Sequence, residues 1–472
     1  MAEIVVIGAG MGSLAAAARL AVAGHRVAVY ERGETYGGAL GRFEKDGFVF
    51  DTGPGLLPLP AVWRDLFVKT GKAALEDRVE LRQVDPDVRH VFEDGRELTL
   101  PAASRAGVIR ALDEALGAGT GERWTALVNR ARTAWDATRR PLLEEPRTVD
   151  GPHQPLPDPY PARRRGLLRR RTPTLAEIAR DELRDPELER MLCSAARLYG
   201  LDPRTAPAAA SVLVYLEQTF GSWYPLGGMR ALADAVHQRC LERRVEFHYG
   251  AEAAGVVVEE GRAVGVRFAD GTTVDADAVV DGTGRLAPDD VPADPTAPEG
   301  GHSPADATAR HTLLLALRGP RPAGTVHRTV VHGDEPVSVL RPDDPSLVPA
   351  PAEYEAVTVS TVVPAGTVPG EDDVRRLLAA AGRAVPDLDD RLLWHVSRTP
   401  ADTEAETGAP GGAVPPPALA GRPLPAANSG RFKGCYAVGG WAHPGGGLPH
   451  AGMSGAMAAG LFVEGADWRG SR

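Results

Sequence analysis

Residues 4–31 read IVVIGAGMGSLAAAARLAVAGHRVAVYE, and the rest of the chain is organised around them. Ile4, Val5, Val6 and Ile7 are the short β-branched run that a strand buried on both faces requires. Gly8, Gly10 and Gly12 follow at once. Leu14 to Ala23 is rich in Ala and Leu with only Arg19 charged, which predicts a helix packed on a sheet. Gly24 ends it, and Val27 to Tyr30 is a second apolar strand closing on Glu31. This is a βαβ unit of about 30 residues with an acid about 20 residues past the glycines. Gly8 permits the tight turn, and Gly10 lets the backbone approach a pyrophosphate with no Cβ in the way. The helix that opens with Met11, Gly12 and Ser13 aims free N–H groups and its positive end at the phosphates. Glu31, followed by Arg32, can accept hydrogen bonds from a ribose. The third glycine of G-x-G-x-x-G falls on Ser13, which is small enough for close helix–strand packing. The expectation is a dinucleotide site.

The chain has 472 residues, too many for one core, so two domains are expected. A net charge of −10 argues against a general nucleic-acid binder. Cys193, Cys240 and Cys435 form no C-x-x-C, so neither a disulfide framework nor a zinc site is supported, and no metal is expected. The first strand begins at the N-terminus and no apolar run reaches about 18 residues. A cytoplasmic protein is the expectation.

Two further glycine turns follow the acid: YGG at 36–38 and GFVFDTGP at 47–54. A simple nicotinamide-binding unit does not need them, whereas a longer cofactor such as FAD does. Further on come PLGGM at 225–229, TPADTEAETGAPGGA at 399–413 and GCYAVGGWAHPGGGLPHAGMSG at 434–455. With these, the chain resembles the phytoene desaturase-like (carotenoid desaturase) family of FAD-dependent oxidoreductases, related to the flavin amine oxidases, over essentially its whole length. The resemblance implies an α/β fold: a Rossmann-like FAD-binding domain of the GR2 type with an inserted α+β substrate domain. It places FAD along Gly38, Ala39, Gly53, Pro54 and Gly55, and the adenine beside Ala253, where a valine is usual. Gly282 belongs to another glycine turn on the path, and the flavin end is wrapped by Gly439, Gly440, Gly446, Gly447, Leu448 and Pro449. The family's G-G-R has Ala39 in place of the arginine, and Arg42 is the substitute the sequence offers.

The expected boundaries are 1–65, 225–285 and 425–472 for the FAD domain, and 66–224 and 286–424 for the substrate domain. Helices are expected at Trp124 to Trp135, Leu175 to Leu192, Ser211 to Phe220, from Pro225 to about Arg243, and at Val374 to Ala381. Short strands fill 245–284, with a hairpin at Asp270-Gly271. Gly284 to Arg310 reads as a loose linker, followed by strands at His311 to Leu317, Val326 to Val331, Val337 to Leu340 and Ala356 to Val363. In PARRRGLLRRR (161–171) six arginines flank Leu167 and Leu168. One reading of Arg163–Arg171 is a peripheral contact at the inner face of a membrane; the other is a solvated loop.

Within the resembled family, the flavin carries the redox chemistry and the protein supplies position. His443 and His450 flank the flavin turn as candidate acid/base groups, with Tyr199, Glu217 and Tyr224 behind them. The leading reading is dehydrogenation of C–C bonds in a lipophilic isoprenoid or polyene. The rival readings are a flavin-dependent isomerase, saturase or tailoring oxidoreductase, and a flavin-less prenyl-binding protein of the Rab escort kind. Oligomeric state is not legible.

Overall fold

The computed structural model describes residues 1–149, 156–165, 169–285, 307–351, 353–466 and 468–470. A five-stranded parallel sheet holds the opening unit. Its order is Glu246–Tyr249, Arg26–Glu31, Glu3–Ile7, Ala278–Asp281 and Cys435–Ala437. The chain therefore leaves this sheet after Glu31 and returns to it near residues 246, 278 and 435. The first helix, Met11–Val22, is buried along almost its whole length because its Ala-rich face lies between the sheet and the last helix, Leu448–Glu464. The two helices touch closely: a Cβ at Gly455 would stand 2.5 Å from the Gly12 carbonyl and 2.8 Å from Ala15 Cβ.

A second, seven-stranded sheet runs in the order Leu392–Arg398, Thr308–Arg318, Tyr354–Pro364, Val337–Leu340, Arg328–Val331, Val88–Val91 and Glu97–Leu100. All its pairs are antiparallel except Arg328–Val331 with Val88–Val91. The helix Glu371–Ala384 covers part of one face through Leu377, Ala381 and Ala384. Val88 and Val330 instead join a helical layer built from Thr120–Arg139, Pro186–Leu198 and Val212–Phe220.

Two expectations need correction. The helix expected at Leu175 to Leu192 is broken. Leu175–Ile178 runs into a wide turn, Arg184 takes φ 50°, and a new helix starts at Pro186. Proline cannot sit inside a helix without losing a bond to the preceding turn. Asp185 caps the restart, accepting from the Glu187 and Leu188 N–H groups at 3.0 Å. The expected linker also ends early, since Thr308–Arg310 already belong to a strand; 286–306 lie outside the described residues. The arginine-rich stretch forms an antiparallel hairpin, Arg163–Arg165 with Arg169–Arg171. Leu167 and Leu168 lie outside the described residues.

Candidate cofactor site

The first helix begins at Gly10 with no side-chain cap and no acidic residue in its first turn. Its opening N–H groups are thus left for a ligand. Gly10 has φ −71° and ψ 167°, which any residue can adopt, and a Cβ there would meet nothing within 4 Å. The glycine faces open space, so the fold does not need it. The turn is held from both sides. Gly37 N–H donates to the Ala9 carbonyl at 2.8 Å, and Gly38 backs onto Gly10 with 3.1 Å between a Gly38 Cβ and Gly10 Cα. Glu31 Oε2 accepts from Ala9 N–H at 2.7 Å and Oε1 from Gly33 N–H at 2.8 Å. The carboxylate is locked over the turn at the end of its strand.

Ser13 is buried, and its hydroxyl has no partner. The space an absent third glycine would have left is supplied from across the sheet. A Cβ at Gly282 would overlap the Ser13 Oγ and approach the Ile7 carbonyl to 2.8 Å. Gly12 packs against Gly439, whose Cα and N would lie 2.7 Å from an added Cβ.

The far end of the path is the turn before the last helix. Gly447 has φ 107°, a region that favours glycine, and caps the helix at Leu448-Pro449 with no side-chain bond. Gly440 and Gly446 both pack on Pro415, and a Cβ at Gly446 would overlap the Pro415 carbonyl. His443 is fully buried, with a ring nitrogen 3.1 Å from the Glu145 carbonyl. Burial, with the Arg147 charge adding, pushes its pKa down to about 3. His450 Nδ1 lies 2.5 Å from the Gly446 carbonyl. That bond requires the proton on Nδ1 and leaves Nε2 as the acceptor. Burial lowers its pKa as well. Both candidates are therefore neutral imidazoles tied to backbone.

Arg42 and Arg32 find other partners. Arg42 pairs with Glu44 at 2.6 Å on an exposed hairpin, and Arg32 donates to the Ala405 carbonyl at 2.9 Å, near the end of the helix Pro400–Thr407. The cation beside the Tyr36-Gly37-Gly38 turn is Arg230, which donates to the Tyr36 carbonyl and the Thr35 hydroxyl, both at 2.8 Å. Sequence reading missed it, although it directly follows PLGGM. Asp51, also missed, accepts from the Met229 and Arg230 N–H groups at 2.9 and 3.3 Å and so caps the returning helix from a distant strand. Loss of solvent pushes its carboxyl up to about 6, against those two hydrogen bonds. Ala39 packs on Gly53 through its carbonyl, which a Cβ at Gly53 would overlap. Pro54 lies exposed beside it, and a Cβ at Gly55 would meet the Leu340 side chain. Ala253 packs in the cluster of Val5, Ile7 and Tyr30. Tyr199 and Glu217 meet at 2.8 Å, while Tyr224 lies apart on Asp344 at 2.9 Å.

An uncapped helix start facing open space, a carboxylate fixed at the end of the neighbouring strand and a second uncapped helix start fit an extended dinucleotide. The model for flavin-containing amine oxidoreductases matches residues 14–281. The chain belongs to that family. Its cofactor is FAD. A 4,4'-diapolycopene oxygenase from Methylomonas is 33% identical over 279 residues, 59% of this chain and 55% of that protein. The hydroxyneurosporene desaturase of Rhodobacter capsulatus is 29% identical over 97% of each chain. A putrescine oxidase structure shares the fold, with a TM-score of 0.67 at 15% identity, covering 98% of this chain and 99% of the other. The chain spans about half the length of the first curated relatives it matches.

Proposed function

We propose that this protein is an FAD-dependent oxidoreductase that dehydrogenates C–C bonds of a lipophilic isoprenoid or polyene. One observation carries the reading beyond the relatives' names. A single apolar cluster contains Leu59 and Leu419, touches Met453 of the last helix, and continues through Trp124, Leu198, Val214 and Val330 into the helical layer. An extended apolar substrate would run along the edge of this packed core, where Met453, Leu216 and Val128 are only partly buried.

FAD supplies a two-electron acceptor next to the C–H bond that breaks. The amides of Met11, Gly12 and Ser13 would hold its pyrophosphate, Glu31 its ribose, and the turn from Gly439 to Pro449 its flavin end. Residues 1–65, 225–285 and 425–472 form the cofactor-binding part on this reading, and 66–224 with 286–424 the substrate part. His443 stays neutral and orders the flavin turn through Glu145. His450, with Nε2 free to accept, is the better placed of the two to take a proton.

Anaerobic mixing with acyclic polyenes tests the reading. Loss of the visible flavin absorbance, with a product two hydrogens lighter, is the expected result. A substrate that binds and leaves unchanged in mass would favour the isomerase reading instead. Peripheral membrane association through Arg163–Arg171 belongs to the same proposal. Among the described residues no helix is long and apolar enough to cross a membrane. Among the described side chains of the hairpin, Arg163 pairs with Asp181 and Arg171 with Glu177. Co-sedimentation with anionic vesicles, weakened by salt, is the expected behaviour.

A further inference from the structure

Residues 439–447 read GGWAHPGGG, and five of these nine are glycine. Such a chain is conformationally loose, and few of its own side chains can fix it. Ties from outside must set its position. Asn428, fully buried, stands at their centre. Its Nδ2 donates to the His443 carbonyl at 2.7 Å and lies 3.4 Å from the Ser454 hydroxyl, which accepts the Gly439 N–H at 3.2 Å. Its Oδ1 accepts from the Arg147 N–H at 3.1 Å. Its own N–H donates to the Arg147 carbonyl at 2.8 Å, and its carbonyl accepts from the Ala437 N–H at 2.9 Å. The two ends of the side-chain amide cannot be exchanged. A flipped amide would set its oxygen against the His443 carbonyl and its N–H groups against the Arg147 N–H.

These bonds join three parts of the molecule. Arg147 follows Thr120–Arg139 of the helical layer, Gly439 and His443 belong to the glycine turn, and Ser454 lies in the last helix. The His443 ring on the Glu145 carbonyl and the Arg147 guanidinium on the Pro425 carbonyl, at 3.1 and 2.5 Å, run alongside. An apolar residue would fill a fully buried position at less risk, because a buried amide costs stability unless its polar groups are partnered. In Asn428 the backbone N–H and carbonyl and both ends of the side chain are partnered. What this arrangement adds over packing is placement. Groups that meet a ligand must be held to within about 0.5 Å by neighbours that are themselves locked.

We propose that Asn428 is a positioning residue for the flavin end of FAD, setting with Ser454 where the Gly439–Pro449 turn presents its backbone. The inference rests on the placement of the flavin end at this turn. The test titrates the deflavinated protein with FAD and with ADP, which carries the adenosine and pyrophosphate but no flavin. Wild type should bind FAD far more tightly than ADP. Asn428→Leu keeps the volume and removes the side-chain hydrogen bonds. It should narrow the FAD-to-ADP affinity ratio about tenfold, through FAD alone, and shift the visible bands of the bound flavin. Ser454→Ala should move the ratio in the same direction and by less. A general loss of stability lowers both affinities together and leaves the ratio as it was. That result overturns the proposal, as do an unchanged ratio and unchanged bands in the folded variants. Ser454→Ala decides where Asn428→Leu does not fold. Leu448→Trp, which adds bulk at the start of the last helix, tests the placement itself by weakening FAD and not ADP. If it narrows the ratio while the Asn428 and Ser454 variants do not, the flavin end stays at this turn and Asn428 loses its role. If none of the three narrows it, the flavin end lies elsewhere and both readings fall.

Discussion

Gly10→Ala separates folding from cofactor binding. In the protein alone the new methyl meets nothing within 4 Å, and the backbone at φ −71°, ψ 167° is open to alanine. Losing glycine at a helix N-cap costs under about 1 kcal/mol. Reduced freedom of the unfolded chain returns about 0.4–1 kcal/mol. The apoprotein should therefore unfold as the wild type does. FAD meets the methyl where its pyrophosphate must approach the first turn. One lost hydrogen bond to a charged group, with part of the dipole attraction, costs about 2–3 kcal/mol, or about 30- to 150-fold in Kd. Gly12→Ala is the control. Its Cβ lies 2.7 Å from Gly439 backbone atoms, so it should destabilise the apoprotein by about 1–3 kcal/mol before any cofactor is added. Quenching of flavin fluorescence on titrating the deflavinated protein gives Kd, and urea unfolding gives stability. A Gly10→Ala protein that holds FAD within about threefold of wild type would refute the assignment of this turn. One that unfolds as easily as Gly12→Ala would refute the claim that the fold does not use the glycine.

Three other outcomes are expected. Glu355→Gln should destabilise by about 3–5 kcal/mol in urea, because it strands two guanidiniums. Arg341 reaches Glu355 at 2.7 and 2.9 Å and Arg391 at 2.8 Å, with Glu355 buried; a loss under about 1 kcal/mol would show that solvent reaches them. Asp51 holds its proton more tightly in the fold, at about 6, than in the unfolded chain, at 3.8. Wild-type stability should fall relative to Asp51→Asn as pH rises from about 4 to 6, by about 2–3 kcal/mol in all; a pH-independent gap contradicts this. His443 works with the opposite sign. The fold keeps it neutral to about pH 3 while the unfolded chain takes a proton near 6.5, so stability is lost as pH falls through that window. His443→Gln should flatten that acid slope, and the pH profile of flavin reduction should show no inflection from this residue near neutrality.

The opening strand, turn and helix were legible because each is a local signal: four β-branched residues, three glycines and an alanine-rich run. The strand positions in 245–284 and the glycine turn before the last helix were legible for the same reason. Partners across space were not. Arg42 was the nearest cation to Ala39 in sequence, yet a hairpin aims it at Glu44, while Arg230 arrives from a helix nearly two hundred residues on. Ser13 looked like a departure from the glycine pattern, and only the sheet shows that Gly282 makes room for it. Two histidines stood beside the flavin turn in the chain, but their burial and their backbone partners are set by segments near 145 and 446. The chain by itself determined the βαβ unit, its glycine turn and the FAD cofactor, since β-branched runs, small residues and their spacing are written locally. The tertiary structure alone decided which charges are neutralised and by what, as Arg341 and Arg391 meet on the buried Glu355. Burial and charge are properties of everything packed around a group, not of its neighbours in sequence.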